Sequence, residues 1–133
     1  GHPGYSAECW GLTASDDPDG YAAHDPDHDN GTISPTAALA SLPYTPQESL
    51  AAIRHLLRRY GSKVWGRYGF VDAFCERGDW YADNFLAIDQ GPIILMIENH
   101  RSGLLWRLFM AIPEIRNGLR KLGFSSPRLR DRR

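Results

Sequence analysis

The sequence predicts an all-α protein in which mostly apolar, buried helices alternate with helices that have one polar side. Two observations support this prediction. Several segments begin with strong helix-start signals, and their apolar residues form either unbroken runs or single stripes. Loops rich in aspartate, glycine and aromatic residues precede the apolar segments. This alternation is typical of concentric helical toroids, in which the loops at one rim form a pocket.

The stretch that begins at Asp89 is expected to be an inner helix. Asp89 can cap free backbone N–H groups, and the φ angle of Pro92 suits the first helical turn. Five apolar residues, 93–97, follow without a break, and a second apolar block covers residues 104–112. A helix that is apolar on every face is buried on every side. The alternative is an ordinary core helix whose aspartate is only a cap.

The segment after Thr45 predicts an outer, amphipathic helix. Thr45 and Glu48 have the spacing of a capping box, and Gly61 is a typical helix stop. One face carries apolar residues at spacings of three and four: Leu50, Ile53, Leu57 and Tyr60. We therefore expect this stripe to face the core and the intervening arginines to face solvent.

Three shorter helices are expected elsewhere: residues 7–12 after Ser6, residues 36–42 after Ser34-Pro35, and a last helix from Pro113 to Gly123. Residues 16–31 contain six Asp, two His and two Pro, so they predict a long loop with a brief strand at 21–23. Residues 64–83 are rich in aromatic residues and glycine, and predict an irregular connection.

Composition limits the function. The 133 residues suffice for one domain, and a net charge of −1 gives no field that favours nucleic acid or membrane surfaces. Neither a transmembrane segment nor a signal peptide is expected. Cys9 and Cys75 are too few for a disulfide scaffold. The chain begins at Gly1 with what reads as a turn, so we expect a segment of a longer protein.

Residues 25–31 raise the question of a metal site, because alternating acids can wrap Ca²⁺. The pattern departs from that of a calcium loop. Asn30 occupies the position that requires the turn glycine, and Thr36 occupies the position that requires the bidentate glutamate. His24 and His28 could bind zinc, but no third ligand has suitable spacing. We therefore expect a solvated loop, no metal and no cofactor.

Acidic residues recur beside aromatic ones. Glu8 is near Trp10, Asp16 precedes Tyr21, and Asp72 lies between two phenylalanines. Aromatic faces stack on sugar rings, and cleavage of a glycosidic bond needs two carboxyl groups. Taken singly, each acid has a simpler explanation as a cap or a solvated group. Together they favour a carbohydrate site.

Residues 4–16, GYSAECWGLTASD, resemble a signature of the glycoamylase-like domain family, which includes bacterial endo-β-1,2-glucanases and the central domain of cyclic β-1,2-glucan synthases. Further similar strings are residues 19–21, 31–38, 68–74, and 87–92 through 97–99. The resemblance implies part of an (α/α)6 toroid with long irregular loops at one rim. Residues 1–124 would be the C-terminal portion of that domain, and residues 125–133 a basic tail.

The resemblance also implies a function. The partner would be a glucan oligosaccharide or polysaccharide, with the N-terminal remainder of the domain supplying at least one catalytic carboxylate. Glu8 and Asp72 are the expected catalytic residues: Asp72 as the water-activating base of an inverting reaction, Glu8 as base or nucleophile otherwise. Substrate-binding residues would be Trp10, Asp16, Tyr21, Trp80, Asp89 and Gln90. A periplasmic or secreted location is compatible with the family.

Two other functions remain open at this point: a non-catalytic carbohydrate-binding module and a helical interaction module whose acids are only caps. A partial toroid would also expose the apolar sides of its inner helices. We therefore expect the isolated chain to self-associate or aggregate.

Overall fold

A computed structural model describes residues 2–129 and contains five α-helices and six short strands in that range. The strands are β1 (Ala14–Asp17), β2 (Gly20–Ala23), β3 (Trp65–Gly66), β4 (Gly69–Phe70), β5 (Phe74–Cys75) and β6 (Trp80–Tyr81). The helices are α1 (Pro35–Ala40), α2 (Pro46–Arg59), α3 (Ala87–Ser102), α4 (Leu104–Ala111) and α5 (Pro113–Lys121). Consecutive strands pair as three antiparallel hairpins. A mainly helical protein is confirmed, with three small hairpins added to it.

The chain forms two compact units, and the division falls within α3, after Ile97. The core of the first unit combines α1, α2 and the strands β4 and β5, and its largest fully buried side chains include Phe74, Ile33, Leu56 and Val64.

In the second unit, α5 ends before Gly123 as predicted. Arg120 Nη2 donates to the Leu129 carbonyl oxygen at 2.7 Å, so the described part of the tail is anchored. Residues 130–133 of the expected basic tail lie outside the described range.

The buried face of α2 agrees with the predicted stripe at Ile53 and Tyr60, which pack in or against the core, but differs from it at the two leucines. Leu50 and Leu57 are 39% and 41% exposed, whereas Ala52 and Leu56 are fully buried. The reason is close contact with α1, where Ser49 Oγ donates to the Ala38 carbonyl oxygen at 2.8 Å. Small residues allow the two helices to approach closely, and this rotates the larger leucines outward. The expected capping box is also wrong, because Thr45 makes no side-chain cap bond.

The expected helix after Ser6 is replaced by a tight turn, in which Ser6 and Cys9 exchange two backbone hydrogen bonds. The chain then pairs with the start of α1, since Ser34 N–H donates to the Gly11 carbonyl oxygen at 2.9 Å. A Cβ atom at Gly11 would overlap with the backbone of Ser34. Ser6 therefore does not start a helix, because the backbone contact between Gly11 and Ser34 determines the local conformation.

The expected loop over residues 16–31 instead begins with the β1–β2 hairpin, and the predicted strand at 21–23 is confirmed as part of β2. Asp17 and His24 are buried rather than solvated. Among residues 2–129, no cluster of three or more metal-ligating side chains is placed to hold an ion. None of the helices in that range is long and apolar enough to span a membrane.

Helix α3 begins two residues before Asp89, so the predicted capping role of Asp89 is wrong. The backbone N–H of Asp89 instead donates to the Leu86 carbonyl oxygen. Ile93 is buried, but Ile94 and Leu95 are 65% and 48% exposed. The expected burial on every side is therefore not found within the part of the chain that the structure describes.

Candidate active site

A cavity of about 460 Å³ lies between the β1–β2 hairpin, α1 and the start of α3. This volume is in the range of ligand-binding pockets, about 300–1,000 Å³. Its polar lining includes Asp72, Asp89, Tyr21 and Thr36, and its apolar lining includes Leu86, Ile88 and Pro92. The cavity thus combines carboxyl groups with an aromatic side chain and apolar surface.

Asp72 lies in the short segment between β4 and β5. The neighbouring residues are fixed by backbone hydrogen bonds, from Val71 to Val64 at 3.0 Å and from Ala82 to Ala73 at 2.9 Å. The Asp72 residue is only 1% exposed. Its Oδ2 accepts the backbone N–H of Asp16 at 2.8 Å. The hairpins therefore hold this carboxyl rigidly against β1.

Asp89 lies in the first turn of α3, 6% exposed. Thr36 Oγ1 donates to the Asp89 carbonyl oxygen at 3.1 Å, which ties the helix start to α1. The next residue, Gln90, donates through Nε2 to the Phe70 carbonyl oxygen at 2.7 Å. These two bonds fix the first turn of α3 beside the segment that carries Asp72.

The carboxyls of Asp72 and Asp89 both line the cavity and interact, so that each shifts the pKa of the other. Burial, the Asp72 charge, their hydrogen bond and then the Asp16 charge raise the pKa of Asp89 to about 6. Burial also raises the pKa of Asp72, but the Asp16 N–H and the hydrogen bond from Asp89 oppose that rise. The arrangement favours Asp89 as the protonated donor and Asp72 as the ionised acceptor.

One oxygen of Asp89, Oδ2, is buried and has no hydrogen-bond partner among the described residues. A buried polar atom without a partner costs about 1–3 kcal/mol. Because Asp89 lines the cavity, a hydroxyl group of a bound ligand can donate to this oxygen. The site can therefore accept a hydrogen bond from a ligand hydroxyl at this position.

The geometry also limits the chemistry. The two carboxyls that flank a glycosidic bond are about 5–9.5 Å apart, whereas Asp72 and Asp89 interact closely enough to shift each other's pKa. They therefore form one acid–base unit rather than both halves of a catalytic pair. Asp16 is engaged as well, because its Oδ2 accepts Asn84 Nδ2 at 2.7 Å.

The structure brings together four of the predicted site residues, Asp16, Tyr21, Asp72 and Asp89. It does not bring Glu8 to them. The Glu8 side chain is 65% exposed, lies 3.7 Å from His55 Nδ1, and lines a separate depression beside the arginines of α2.

The remaining predicted residues have structural contacts. Trp10 and Trp80 are partly buried and pack against the core of the first unit. The side-chain amide of Gln90 is occupied by its hydrogen bond to the Phe70 carbonyl oxygen. Thr36 and Asn84 were missed by the sequence prediction, although Thr36 lies within one of the family-like strings, at residues 31–38. No local signal distinguishes Asn84.

A cavity lined by carboxyl groups on a helix-rich scaffold is typical of carbohydrate-processing domains. The chain matches the model of the Glycoamylase family, described as "Putative glucoamylase", over residues 1–113. It belongs to that family, as the motifs at residues 4–16 and 87–99 predict.

Named relatives support the same placement. The chain is 48% identical over 124 residues to the exo β-1,2-glucooligosaccharide sophorohydrolase (non-reducing end) of Parabacteroides distasonis, covering 92% of this chain and 17% of that protein. It is similar to the endo-β-1,2-glucanase from Chitinophaga pinensis, solved with sophorotriose and glucose, with a TM-score of 0.90 and 54% identity over 96% of this chain and 31% of the other.

A "putative glucoamylase" from Bacteroides uniformis gives a TM-score of 0.93 and 56% identity over 98% of this chain and 32% of the other. The chain therefore spans about a third of the solved relatives, and less than a fifth of the curated one.

Proposed function

We propose that the protein is a glycoside hydrolase, or a transglycosylase, that acts on β-1,2-linked glucans. The observation that carries this proposal is the pair of buried carboxyls, Asp72 and Asp89, that interact in a cavity that also presents Tyr21. The similarity to β-1,2-glucan-degrading proteins supplies the substrate class. Because the chain spans only part of those relatives, the activity is proposed for the intact native protein.

In this proposal Asp72 is the general base. It is the member of the pair that stays ionised, so it can take a proton from the attacking water. Below about pH 6 Asp89 is protonated, interacts with the Asp72 carboxylate, and accepts a sugar hydroxyl through Oδ2. Tyr21, which is 74% exposed at the cavity, offers its ring to a sugar face.

The second carboxyl, which protonates the leaving oxygen, would come from another part of the native protein, because Asp72 and Asp89 are too close to flank the bond.

The architecture also points to further parts of the native protein. The exposed apolar side chains of α3, among them Ile94 and Leu95, suit burial against further helices of an (α/α)6 toroid.

The test compares two conservative substitutions in the intact native protein, with release of reducing sugar from β-1,2-glucan as the measurement. Asp72→Asn should lower kcat by about 100-fold or more, since it removes the base. Glu8→Gln, a matched loss of one carboxylate charge away from the cavity, should change it by less than about threefold.

Glucans with β-1,3 and β-1,4 linkages serve as substrate controls and should be cleaved slowly or not at all. Near-normal turnover by Asp72→Asn would remove this residue from the mechanism. Tight glucan binding without any hydrolysis by the wild-type protein would favour a non-catalytic carbohydrate-binding module instead.

A further inference from the structure

A second group of polar side chains is buried beneath the β1–β2 hairpin, and the proposed chemistry does not use it. Its centre is Asp17, which is 7% exposed. Asp17 Oδ1 accepts the Asp19 N–H at 2.7 Å, and Oδ2 accepts Asn30 Nδ2 at 2.9 Å. The same Oδ2 lies 3.5 Å from His24 Nε2. Burying a carboxylate is costly, so these contacts are needed to keep it in place.

The outer members of this group connect it to the rest of the loop. Asn30 Oδ1 accepts the Thr32 N–H at 3.1 Å, and His24 Nδ1 lies 3.3 Å from the His28 carbonyl oxygen. The His24 ring is thus held at Nδ1, while Nε2 lies beside the Asp17 carboxylate without a hydrogen bond to it. The group consequently fastens the turn of the hairpin to the chain that leads into α1.

The hairpin links this group to the cavity. Side chains alternate between the two faces of a strand, so Asp16 and Asp17 point in opposite directions. Asp16 pairs directly with Tyr21 across the hairpin, and Tyr21 lines the cavity. The backbone N–H of Asp16 donates to Asp72. Fixing Asp17 on one face thus fixes two cavity contacts on the other.

We propose that Asp17, held by His24 and Asn30, is a positioning residue that keeps the Asp16 N–H bonded to Asp72 in the reactive site. This proposal rests on the proposed function. Three groups face the Asp72 carboxyl: the Asp16 N–H, the Asp16 charge, and the Asp89 carboxyl on α3. Of these, the N–H is the contact that depends on the position of the hairpin. Its loss raises the pKa of Asp72, so less of the base is ionised at low pH.

The test uses Asp17→Asn in the intact native protein, with Asp25→Asn as the matched control. Asp25 is in the same loop and lies 2.9 Å from His28 Nδ1, but it is exposed, and within residues 2–129 none of its hydrogen bonds is with Asp17, Asn30 or β1. Asp17→Asn should lower kcat about tenfold or more, with a smaller change in KM, because the base is displaced. The acid limb of its pH profile should move up by about half a unit or more. Asp25→Asn should alter neither.

Hydrogen exchange provides a readout that does not depend on turnover. The Asp16 amide should exchange faster in Asp17→Asn than in the wild type, and at the wild-type rate in Asp25→Asn. If Asp17→Asn does not fold, Asn30→Ala removes the donor to Asp17, together with the acceptor of the Thr32 N–H, and is predicted to give the same changes at smaller amplitude.

An unchanged acid limb together with unchanged exchange at Asp16 would overturn the positioning role, even if the melting temperature fell. If the wild-type protein cleaves no glucan, the proposed function fails. In that case the exchange rate at Asp16 still decides whether Asp17 holds the hairpin.

Discussion

The carboxyls of Asp89 and Asp72 line the same cavity and interact, and burial together with the Asp72 charge raises the pKa of Asp89 to about 6. The two side chains come from α3 and from the segment between β4 and β5. They meet because both segments are tied to their neighbours by backbone hydrogen bonds and by Thr36 and Gln90. A carboxylic acid that is still protonated near pH 6 can donate where an ordinary aspartate cannot.

The first prediction concerns the alkaline limb of the pH profile. Turnover of β-1,2-glucan by the intact native protein should fall as the pH rises through about 6, because Asp89 then loses the proton it shares with Asp72. Asp89→Asn keeps a donor and an acceptor but does not titrate. It should remove this limb while keeping activity at low pH. The measurement is kcat/KM from pH 4 to 8, and an unchanged limb in the variant would contradict the assignment.

The second prediction concerns stability. Since the folded-state pKa of Asp89 is raised from 3.8 to about 6, the folded state binds more protons than the unfolded state between those values. The free energy of unfolding should therefore decrease as the pH rises through this window, by on the order of 1–3 kcal/mol. Asp89→Asn should be the more stable protein at pH 7 and lose that advantage at pH 4. Thermal unfolding at both pH values is the measurement, and a pH-independent difference would argue against a buried titrating carboxyl.

The third prediction tests which face of α2 is buried. Leu56 is fully buried and Leu57 is 41% exposed, although they are adjacent. Leu56→Ala should destabilise the protein by about 2–5 kcal/mol, because it leaves a cavity in the core. Leu57→Ala should cost less than about 1 kcal/mol. Chemical denaturation of the two variants checks this pair, and the reverse order would restore the stripe predicted from the sequence.

The fourth prediction concerns the exposed apolar surface of α3. Ile94 and Leu95 are 65% and 48% exposed, and Ile88 is 79% exposed. An isolated chain of residues 1–133 should therefore self-associate. Replacing Ile94 and Leu95 by serine should shift the sedimentation profile toward the monomer. As a control, serine at Tyr44, which is 68% exposed outside this surface, should leave the profile unchanged. A monomeric wild-type chain would contradict the prediction.

Local signals predicted the ends of several helices. Pro35, Pro46 and Pro113 open α1, α2 and α5, and Gly123 follows the last of these, because proline and glycine act through backbone angles that need no distant partner. Tertiary contacts decided the rest. Ser49 is buried and donates to the Ala38 carbonyl oxygen of α1, so a hydrophobic pattern that scores serine as polar places part of the buried face of α2 incorrectly.

The sequence predicts which types of residue form the candidate site, but not which of the candidate acids come together there. The family-like strings contain Glu8, Asp16, Asp72 and Asp89, and nothing in their local sequence distinguishes Glu8 from the others. Only the packing of β1 against the segment between β4 and β5 brings three of them together and leaves Glu8 beside His55. Asn84 and Asp17 gain their importance in the same way, from partners 68 and 13 residues distant.

The direct pairing of Asp16 with Tyr21, and of Asp17 with Gly20, leaves only Pro18 and Asp19 in the turn. A register slip of one residue would exchange the two faces of the strand, so that Asp17 would face the cavity and Asp16 would face His24. Single-residue insertions or deletions at this turn should therefore be far more damaging than most substitutions there. The length of this connection, rather than its composition, is what natural variants are expected to preserve.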